Sequence, residues 1–310
     1  MLFVKVILPV YLIIAIAYIL AKYKRLDPFQ LSVLSIYILT PALIIRSFDI
    51  YGEVLLKSVH LVVVHSIIQT LIMYVLALFF ANLMKLSNRS KYIFILLSFL
   101  PNTGNIGIPV CEYYLGSAGS SFATFILVVT SILSQTYGVY LVMKSKSNST
   151  DLLKTMKDIT YNIFSLPLLY VTALGFLMSI FSLKLPEYVR EPVYGLGYTA
   201  IILGLIQLGL VLGKVNFGLV NFRFVLVTNF LKLIVSPLVA GVIAYLLGFR
   251  GVELKVFVLQ YGMPSALYCS ILANFFNSSP RTVAVSVFVS TLLSIPTLYG
   301  IMELLNIILP

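Results

Sequence analysis

Charged residues are scarce in this sequence. Asp, Glu, Lys and Arg together make up 10% of the 310 residues, whereas a soluble domain has about 25%. Hydrophobic residues make up 60%, and the mean hydropathy is +1.06. This composition excludes a soluble globular domain and predicts an integral membrane protein surrounded by the lipid bilayer.

Sequence patterns typical of enzymes and of ATP-driven pumps are also absent. No glycine-rich phosphate loop ends in Gly-Lys-Ser or Gly-Lys-Thr, so ATP-driven transport by this chain is not expected. No His, Cys and Asp cluster has metal-ligand spacing, and no nucleophile elbow occurs, which argues against an intramembrane hydrolase. We therefore expect no catalytic residue, no metal site and no cofactor.

Cysteines are few, and long basic tracts are missing. The two cysteines, Cys111 and Cys269, both lie inside apolar segments, so no disulfide framework is expected. The net charge is +11, but Lys and Arg occur in small groups between apolar runs. The basic residues are therefore expected to orient the protein in a membrane and not to bind nucleic acid.

Apolar runs dominate the sequence, and ten of them suit a bilayer crossing of about 20 residues. The predicted spans are residues 3–21, 29–46, 58–83, 91–115, 120–143, 160–182, 194–213, 222–247, 254–277 and 281–308. The first run lacks a basic n-region and a convincing cleavage site, so we interpret it as a retained span and not as a signal peptide. The sequence thus predicts an all-α, multi-pass membrane protein of ten transmembrane helices.

Lys and Arg divide unequally between the two sides of this arrangement. Alternate loops on one side carry 13 of the 21 basic residues, and the opposite side carries seven. The seven are Lys5, Arg46, Lys57, Lys184, Arg190, Arg250 and Lys255. Because cytoplasmic loops are enriched in Lys and Arg, the first side is predicted to be cytoplasmic and both termini to lie outside the cell membrane.

A weak internal repeat divides the chain. The Leu-Pro pair at residues 8–9 recurs at 166–167, and the Gly-x-Pro motif at 107–109 recurs at 262–264. We predict a first five-helix half at residues 1–143, a polar cytoplasmic linker at 144–159 and a second half at 160–310. Because each half has an odd number of crossings, the second half enters the bilayer from the opposite face, which is the inverted-repeat plan of many secondary transporters.

The fourth predicted span contains a run, PNTGNIGIP at residues 101–109, that does not suit a stable membrane helix. Such residues free backbone hydrogen-bonding groups at membrane depth, which costs several kcal/mol per group in hydrocarbon. We therefore predict a true helix break; the alternative is a proline kink satisfied by neighbouring helices. The residues assigned to this break are Pro101, Gly104, Gly107 and Pro109.

A second break is predicted in the ninth span, at Gly262 and Pro264. Pro101 and Pro264 each lie about ten residues from a charged residue near the span boundary, so each is about 15 Å deep, near the bilayer midplane. Depth therefore pairs Pro101 with Pro264, whereas the Gly-x-Pro match pairs Pro109 with Pro264. We prefer the pairing by depth, because the short motif is a weak signal.

Two broken helices that meet at one depth direct positive helix N-termini into one small volume, which favours an anion such as a carboxylate. Side chains near the breaks add hydrogen-bond donors and acceptors. The predicted substrate-binding residues are Asn102, Thr103, Asn105, Gln207, Tyr261 and Ser265. For Tyr261, packing between helices is the alternative interpretation.

Lys232 and His65 are titratable residues predicted to lie inside the membrane. Lys232 is nine residues from Arg223, which is about 14 Å of helix and too deep to reach either surface easily. We predict that it is a counter-charge to the substrate or a fixed cation coupled to transport; a structural ion pair or a neutral lysine is the alternative. His65 is either a packed core residue or a proton relay, and Glu112 is interpreted as an acid at the outer interface.

These motifs resemble those of the auxin efflux carrier family, which includes the plant PIN-formed carriers and many prokaryotic relatives. Residues 100–109 (LPNTGNIGIP) are similar to the fourth-helix motif of that family, and residues 247–264 (LGFRGVELKVFVLQYGMP) are similar to its eighth-to-ninth-helix region. The run at residues 18–28 and the turn around Pro41 are also similar. The resemblance therefore spans nearly the whole chain.

The resemblance implies a fold like that of the sodium/proton antiporters and bile-acid transporters, with a scaffold part and a transport part that carries two crossing helices. It also implies elevator-type movement and a homodimer. Pro101 and Pro264 correspond to the crossover prolines, and Asn102 corresponds to the asparagine that contacts the substrate carboxylate in the plant carriers. His65 and Ser66 occupy the neighbourhood where plant carriers have an acid, so the expected substrate is a small organic anion in general, auxin-like or a dicarboxylate.

The sequence thus favours a secondary transporter of a small organic anion. One alternative is a cation/proton antiporter or a sodium-coupled organic anion symporter of the same fold. An antiporter would need paired carboxylates beside the break, where Asn102 and Asn105 stand instead. The other alternative is a non-transporting membrane receptor, which would bind a ligand without moving it.

Overall fold

Helices make up all the regular secondary structure in the described part of the chain. The computed structural model describes residues 2–24, 26–146, 164–165, 167–215, 217 and 220–308. Within these ranges the extended pairing is a single isolated antiparallel bridge, between Pro101 and Ser265. The predicted all-α class is confirmed. Residues 147–159 of the predicted linker lie outside the described residues, as does Leu166 of the predicted repeat.

Twelve helical segments follow one another along the described chain. They are α1 (Phe3–Tyr23), α2 and α3 (residues 30–50 and 52–83 of the helix Gln30–Leu83), α4 (Asn88–Phe99), α5 and α6 (residues 103–115 and 117–145 of the helix Thr103–Ser145), α7 (Pro167–Ile180), α8 (Glu187–Gly213), α9 (Phe222–Leu246), α10 (Gly251–Gly262), α11 (Leu267–Phe275) and α12 (Pro280–Ile308).

Two of the long helices contain an internal bend. Tyr51 has non-helical angles, φ −128° and ψ 18°, where the sequence predicts a loop at residues 47–57. The helix continues past this bend because no proline interrupts residues 42–83. Gly116 has φ +70° and ψ −164°, a conformation open to glycine but strained for residues with a side chain. This bend coincides with the predicted end of the fourth span.

Six helices in the described part of the chain are long and apolar enough to cross a membrane, judged by length and composition. They are Phe3–Tyr23, Gln30–Leu83, Thr103–Ser145, Glu187–Gly213, Phe222–Leu246 and Pro280–Ile308. Large apolar side chains cover much of their outer surface, such as Leu71, Phe79 and Leu238, which are 58–65% exposed. An apolar exterior of this kind suits lipid. The ten-span, five-plus-five arrangement stays a prediction.

Glycines allow four of the helices, α1, α2, α7 and α8, to approach one another closely. A Cβ atom at Gly213 of α8 would lie 2.6 Å from the Ala21 side chain of α1, and one at Gly197 would lie 3.4 Å from Leu43 Cα of α2. Gly175 of α7 packs on the ring of Phe48 of α2. Small residues at such contacts are typical of helix packing in membranes.

The short helices α4 and α10 lie in the centre of the molecule. Five successive residues of α4, Ile93 to Leu97, are 0% exposed, so this helix is buried on every face. Most of α10 is buried in the same way. The fold therefore carries the two predicted helix breaks deep inside the protein.

Candidate functional site

The ends of four helices meet at the two predicted breaks. Helix α4 ends at Phe99 and α5 begins at Thr103, while α10 ends at Gly262 and α11 begins at Leu267. The connecting residues are extended, with ψ 108° at Leu100 and ψ 151° at Met263. Proline and glycine account for these ends, because Pro101 and Pro264 lack the N–H that would continue each helix.

The two connections pair as short antiparallel strands. The amide of Asn102 donates to the carbonyl of Pro264 at 2.8 Å, and the amide of Ala266 donates to the carbonyl of Leu100 at 2.9 Å. The Ser265 hydroxyl donates to the carbonyl of Leu97 at 2.8 Å. Backbone groups freed by the breaks thus satisfy one another, as a dry interior requires.

In this pairing Pro101 lies opposite Ser265, the residue that follows Pro264. This agrees with the pairing of Pro101 with Pro264 that was predicted from their depth. Pro109 lies farther on, inside α5, where the structure is helical. A wider π-helical turn at residues 103–107 precedes it. Proline has no amide hydrogen to offer the carbonyl of Asn105 four residues earlier, and a π turn is a common way to absorb such a mismatch. The interruption is therefore shorter than the run 101–109.

Both positive and negative helix ends lie at the junction. Helices α5 and α11 begin there and present N-terminal amides, whereas α4 and α10 end there and present carbonyls. The N-terminus of a helix carries about +0.5 of an elementary charge and its C-terminus about −0.5. An anion is therefore favoured beside Thr103 and Leu267, and a cation beside the last residues of α10.

Asn102 lies at the centre of this junction with a free hydrogen-bond donor. Asn102 is 5% exposed, and its Nδ2 has no hydrogen-bond partner within the described ranges. An unsatisfied buried donor costs about 1–3 kcal/mol. A ligand with an acceptor oxygen would recover this cost.

Three other predicted binding residues already have partners in the protein. Thr103 Oγ1 lies 3.2 Å from Thr130 Oγ1. Ser265 is fully buried, and both its hydroxyl and its amide take part in hydrogen bonds. The Tyr261 hydroxyl donates to Ser66 Oγ at 2.9 Å, which fits the packing interpretation.

Asn105 lies beside α8, and Gln207 lies within α8 and contacts α2. Asn105 is half-buried, and its Cα would lie 3.3 Å from a Cβ atom at Gly204 of α8. Gln207 lies in the next turn of α8, but its amide donates to Ser32 of α2. Helix α8 therefore adjoins the junction through Gly204, and Gln207 is used between α2 and α8.

Gln260 is a buried polar residue that the sequence indicates only as part of a family motif. It is 0% exposed, its Nε2 lies 3.6 Å from Cys111 Sγ, and its Oε1 lacks a partner among the residues that the structure describes. Its amide fills the space that a side chain at Gly107 would need. A glutamine inside an apolar run, four residues before Pro264, was the available signal.

Lys232 and His65 lie on helices that pack against α10. Lys232 is 0% exposed, and its Nζ donates to the carbonyl of Tyr261 at 2.7 Å. His65 Nε2 lies 3.0 Å from the carbonyl of Ala240, and its ring stacks on Phe257 with a centroid distance of 3.9 Å. The ring of His65 is packed in the core, and its Nδ1 has no hydrogen-bond partner among the described residues.

Glu112 is part of an ion pair, and its position at the outer interface stays a prediction. Arg46 Nη2 lies 3.2 Å from Glu112 Oε1, and the Arg46 side chain is 0% exposed. The guanidinium also lies over the ring of Tyr198 at 4.0 Å. Arg46, which the sequence predicts to lie on the outer side, therefore joins α2 to α5 and α8 inside the protein.

A cavity of about 480 Å³ lies along α11. Leu267 and Ser270, in the first turns of α11, line it together with Val287 of α12, and Lys214 and Arg281 also line it. The two cations belong to the loops that the sequence predicts to be cytoplasmic. The cavity thus lies between α8, α11 and α12, and Asn102 is not among the residues that line it.

These features define a class of protein: a helical, multi-pass membrane protein in which two interrupted helices meet in the interior. A family model described as a membrane transport protein matches residues 2–302. The chain belongs to this membrane transport family, the auxin efflux carrier family. The predicted resemblance is confirmed.

Two curated relatives support the same assignment. The chain is 31% identical over 205 residues to an uncharacterized transporter from Methanothermobacter thermautotrophicus. The matched region covers 64% of this chain and 62% of the relative. It is 26% identical over 220 residues to an uncharacterized transporter from Methanocaldococcus jannaschii. That matched region covers 69% of this chain and 68% of the relative. The chain thus spans somewhat less than two thirds of the first relative.

Proposed function

We propose that this protein is a secondary transporter that carries a small organic anion, with the substrate carboxylate bound where α5 and α11 begin. The observation that carries the proposal is the free Nδ2 donor of Asn102, which is buried beside two positive helix ends. A carboxylate would accept from Asn102 and from the first amides of the two helices.

Two further features support an anionic substrate. The cavity beside α11 has Lys214 and Arg281 among its lining residues, and cations at a cleft raise the local concentration of anions. The part of the chain that the structure describes contains no group of three His, Cys, Asp or Glu residues that could hold a metal ion. The donor set is therefore better suited to a carboxylate than to a divalent cation.

The proposed mechanism is alternating access of the elevator type. The group of α1, α2, α7 and α8 would be the scaffold, and the helices that carry the breaks would move against it. Contact between Asn105 and Gly204 marks the surface along which such a movement would occur. The homodimer implied by the family resemblance would hold two scaffolds together.

Flux and binding measurements on Asn102→Ala test this proposal. In proteoliposomes with an imposed membrane potential, we expect carboxylate flux for the unaltered protein and a loss of at least about tenfold for the variant, because one charge-assisted hydrogen bond contributes about 1.5–3 kcal/mol. Stability should change little, since Asn102 Nδ2 has no partner to lose among the described residues.

Ser98→Ala is the matched control. Ser98 is also buried in this region, but its hydroxyl donates to Phe94 within α4. Its flux should stay near that of the unaltered protein. Flux by Asn102→Ala equal to that of Ser98→Ala would exclude Asn102 from the site, and ligand-induced thermal stabilisation without flux would identify a receptor instead.

A further inference from the structure

Acidic residues are rare in the four helices that end or begin at the junction. Helices α4, α5, α10 and α11 contain two of them, Glu112 in α5 and Glu253 in α10. Each lies nine residues from the junction end of its helix (103 to 112 and 253 to 262), which is about 14 Å of helix. The two carboxylates therefore lie outside the proposed substrate site.

One end of α2 binds both carboxylates. Arg46 Nη2 lies 3.2 Å from Glu112 Oε1. The hydroxyl of Tyr51, at the bend where α2 ends, donates to Glu253 Oε1 at 2.6 Å. Both acids thus lie at one end of the molecule, which the distribution of Lys and Arg predicts to be external. A helix of the proposed scaffold contacts both broken helices through their acids.

Arg46 belongs to the scaffold side of this contact. Its guanidinium lies over the rings of Tyr198 and Tyr194 of α8, at 4.0 and 5.7 Å from their centroids. A Cβ atom at Gly197 of the same helix would lie 3.1 Å from Arg46 Cδ. The Glu112 side chain is 15% exposed, whereas that of Arg46 is 0% exposed. A movement of α5 would therefore separate Glu112 from Arg46, on the side where solvent reaches the carboxylate.

Charged and polar side chains suit a contact that has to open. A buried ion pair contributes little more to stability than apolar side chains of similar size, so stability alone does not explain the pair of Arg46 and Glu112. When such a pair separates, each charge regains its hydration. Apolar side chains would instead lose about 25 cal/mol for each Å² exposed to water. Tyr51 and Glu253 can likewise bind water when they are apart.

Helix α8 borders an open cavity at its other end. The cavity of about 480 Å³ lies between α8, α11 and α12, and Val211 and Leu212 of α8 line it. Lys214 and Arg281, from loops predicted to be cytoplasmic, also line it. Contacts at one end and a cavity at the other are what alternating access requires of a state that opens on one side.

We infer that Arg46 and Tyr51 form a clasp that holds the outer ends of α5 and α10 against the scaffold and keeps the outer side closed. The inference rests on the proposed alternating access, since the clasp has to open only if the site turns to the outer side. It names the contacts that set the balance between the two access states.

Ile201 of α8 is suited to report the opening of the clasp. It is 5% exposed, and its spacing places it on the same helix face as Gly197, beside Arg46, and Gly204, beside Asn105. Ile201→Cys should react slowly with an impermeant maleimide in right-side-out vesicles. Addition of Glu112→Gln should speed this reaction about fivefold, the difference between a charged and a neutral hydrogen bond.

Ser270→Cys provides the reciprocal measurement. Ser270 is 6% exposed and lines the cavity at the opposite end. In inside-out vesicles, addition of Glu112→Gln should slow its reaction with the maleimide, because the cavity is open for less of the time. A protein that is merely loosened would react faster at both positions. The protein without an added cysteine supplies the background, since Cys111 and Cys269 are buried.

Glu191→Gln is the matched control. It removes the same charge from an exposed residue of α8 on the same predicted side, outside the clasp. Both labelling rates should equal those of the protein without this substitution. Tyr51→Phe removes only the hydroxyl that binds Glu253, so it should change both rates in the same directions as Glu112→Gln, but by less.

Each outcome of the labelling decides the inference. Equal rates for Glu112→Gln and Glu191→Gln, or faster reaction at both reporter positions, would overturn it. If Glu112→Gln does not fold, the same two rates are measured for Tyr51→Phe. Failure of both variants to fold would also overturn it, because the contacts would then be required by the fold itself and could not open.

Carboxylate flux separates this inference from the proposed function. Reciprocal changes in labelling, in a protein that moves no carboxylate, would retain the clasp and reject the proposed substrate. Carboxylate flux with labelling rates that do not respond to Glu112→Gln would retain the transport function and reject the clasp.

Discussion

Arg46 and Glu112 form a buried ion pair that joins three helices. The Arg46 side chain is 0% exposed and the Glu112 side chain 15%. Ser117 accepts from Arg46 at 3.2 Å, and Ser120 donates to Glu112. Buried pairs of this kind contribute little over an apolar replacement, but the loss of one partner leaves an uncompensated charge. Removal of one partner should therefore cost more stability than replacement of both partners by apolar residues.

Arg46→Met should lower the free energy of unfolding by about 3–5 kcal/mol, measured by denaturant unfolding in detergent micelles. The double variant Arg46→Met with Glu112→Leu should recover most of this loss. Arg190→Ala is the control, because the Arg190 side chain is 43% exposed and its buried partner Asp49 keeps hydrogen bonds from the Leu185 amide and the Tyr194 hydroxyl; its loss should not exceed about 1 kcal/mol. A double variant as unstable as Arg46→Met would contradict the argument.

Lys232 illustrates what residue-level reasoning can and cannot predict. Its depth in the membrane is predicted from its distance along the sequence to Arg223. Its partner, the carbonyl of Tyr261, has no signature in the sequence, because every residue has a carbonyl and only the end of α10 makes this one available.

At the scale of helices, α1 and α8 are held close by Gly209 and Gly213. A Cβ atom at Gly209 would collide with the carbonyl of Ile14 and lie 3.0 Å from the amide of Tyr18. One at Gly213 would lie 2.9 Å from the carbonyl of Tyr18. These neighbours are backbone atoms, which cannot rotate away.

Gly209→Ala should therefore destabilise the protein by about 1–3 kcal/mol, because the two helices must separate. Gly195→Ala in the same helix is the control, since no described heavy atom outside the local helix lies within 4 Å of a Cβ there. That substitution should be neutral or should stabilise by up to about 1 kcal/mol through helix propensity. Equal unfolding temperatures for the two variants would show that α1 and α8 are not tightly packed.

At the scale of the whole molecule, the distribution of Lys and Arg predicts how the protein lies in the membrane. The turn before α4 is predicted to be cytoplasmic and the turn before α8 to be external. Asn88 begins α4 and is exposed, and Tyr188 near the start of α8 is 81% exposed. The native cysteines, Cys111 and Cys269, are both buried.

Tyr188→Cys should react with a membrane-impermeant maleimide in intact cells, whereas Asn88→Cys should react only after permeabilisation. The unaltered protein supplies the background, since its cysteines are buried. The reverse labelling pattern would invert the predicted orientation. Equal labelling of both sites in intact cells would contradict an odd number of membrane crossings between them.

The sequence by itself determined the class of the protein and the places where its helices stop. Low charge and long apolar runs require a lipid environment, and proline and glycine act locally, so the ends of α4 and α10 fall at Pro101 and at Gly262–Pro264. The family follows from the same motifs. Helix continuity past Tyr51 was not predicted, because polar residues near a span boundary are compatible with both a loop and a helix.

Only the tertiary structure decided which groups meet. The pairing of Asn102 with Pro264, the ion pair of Arg46 with Glu112 and the contact of Lys232 with Tyr261 each join residues that are far apart in the chain. Such contacts depend on the relative positions of packed helices, which no local pattern encodes. The Nδ2 donor of Asn102 has no partner among the described residues, although the backbone groups beside it are paired across the junction.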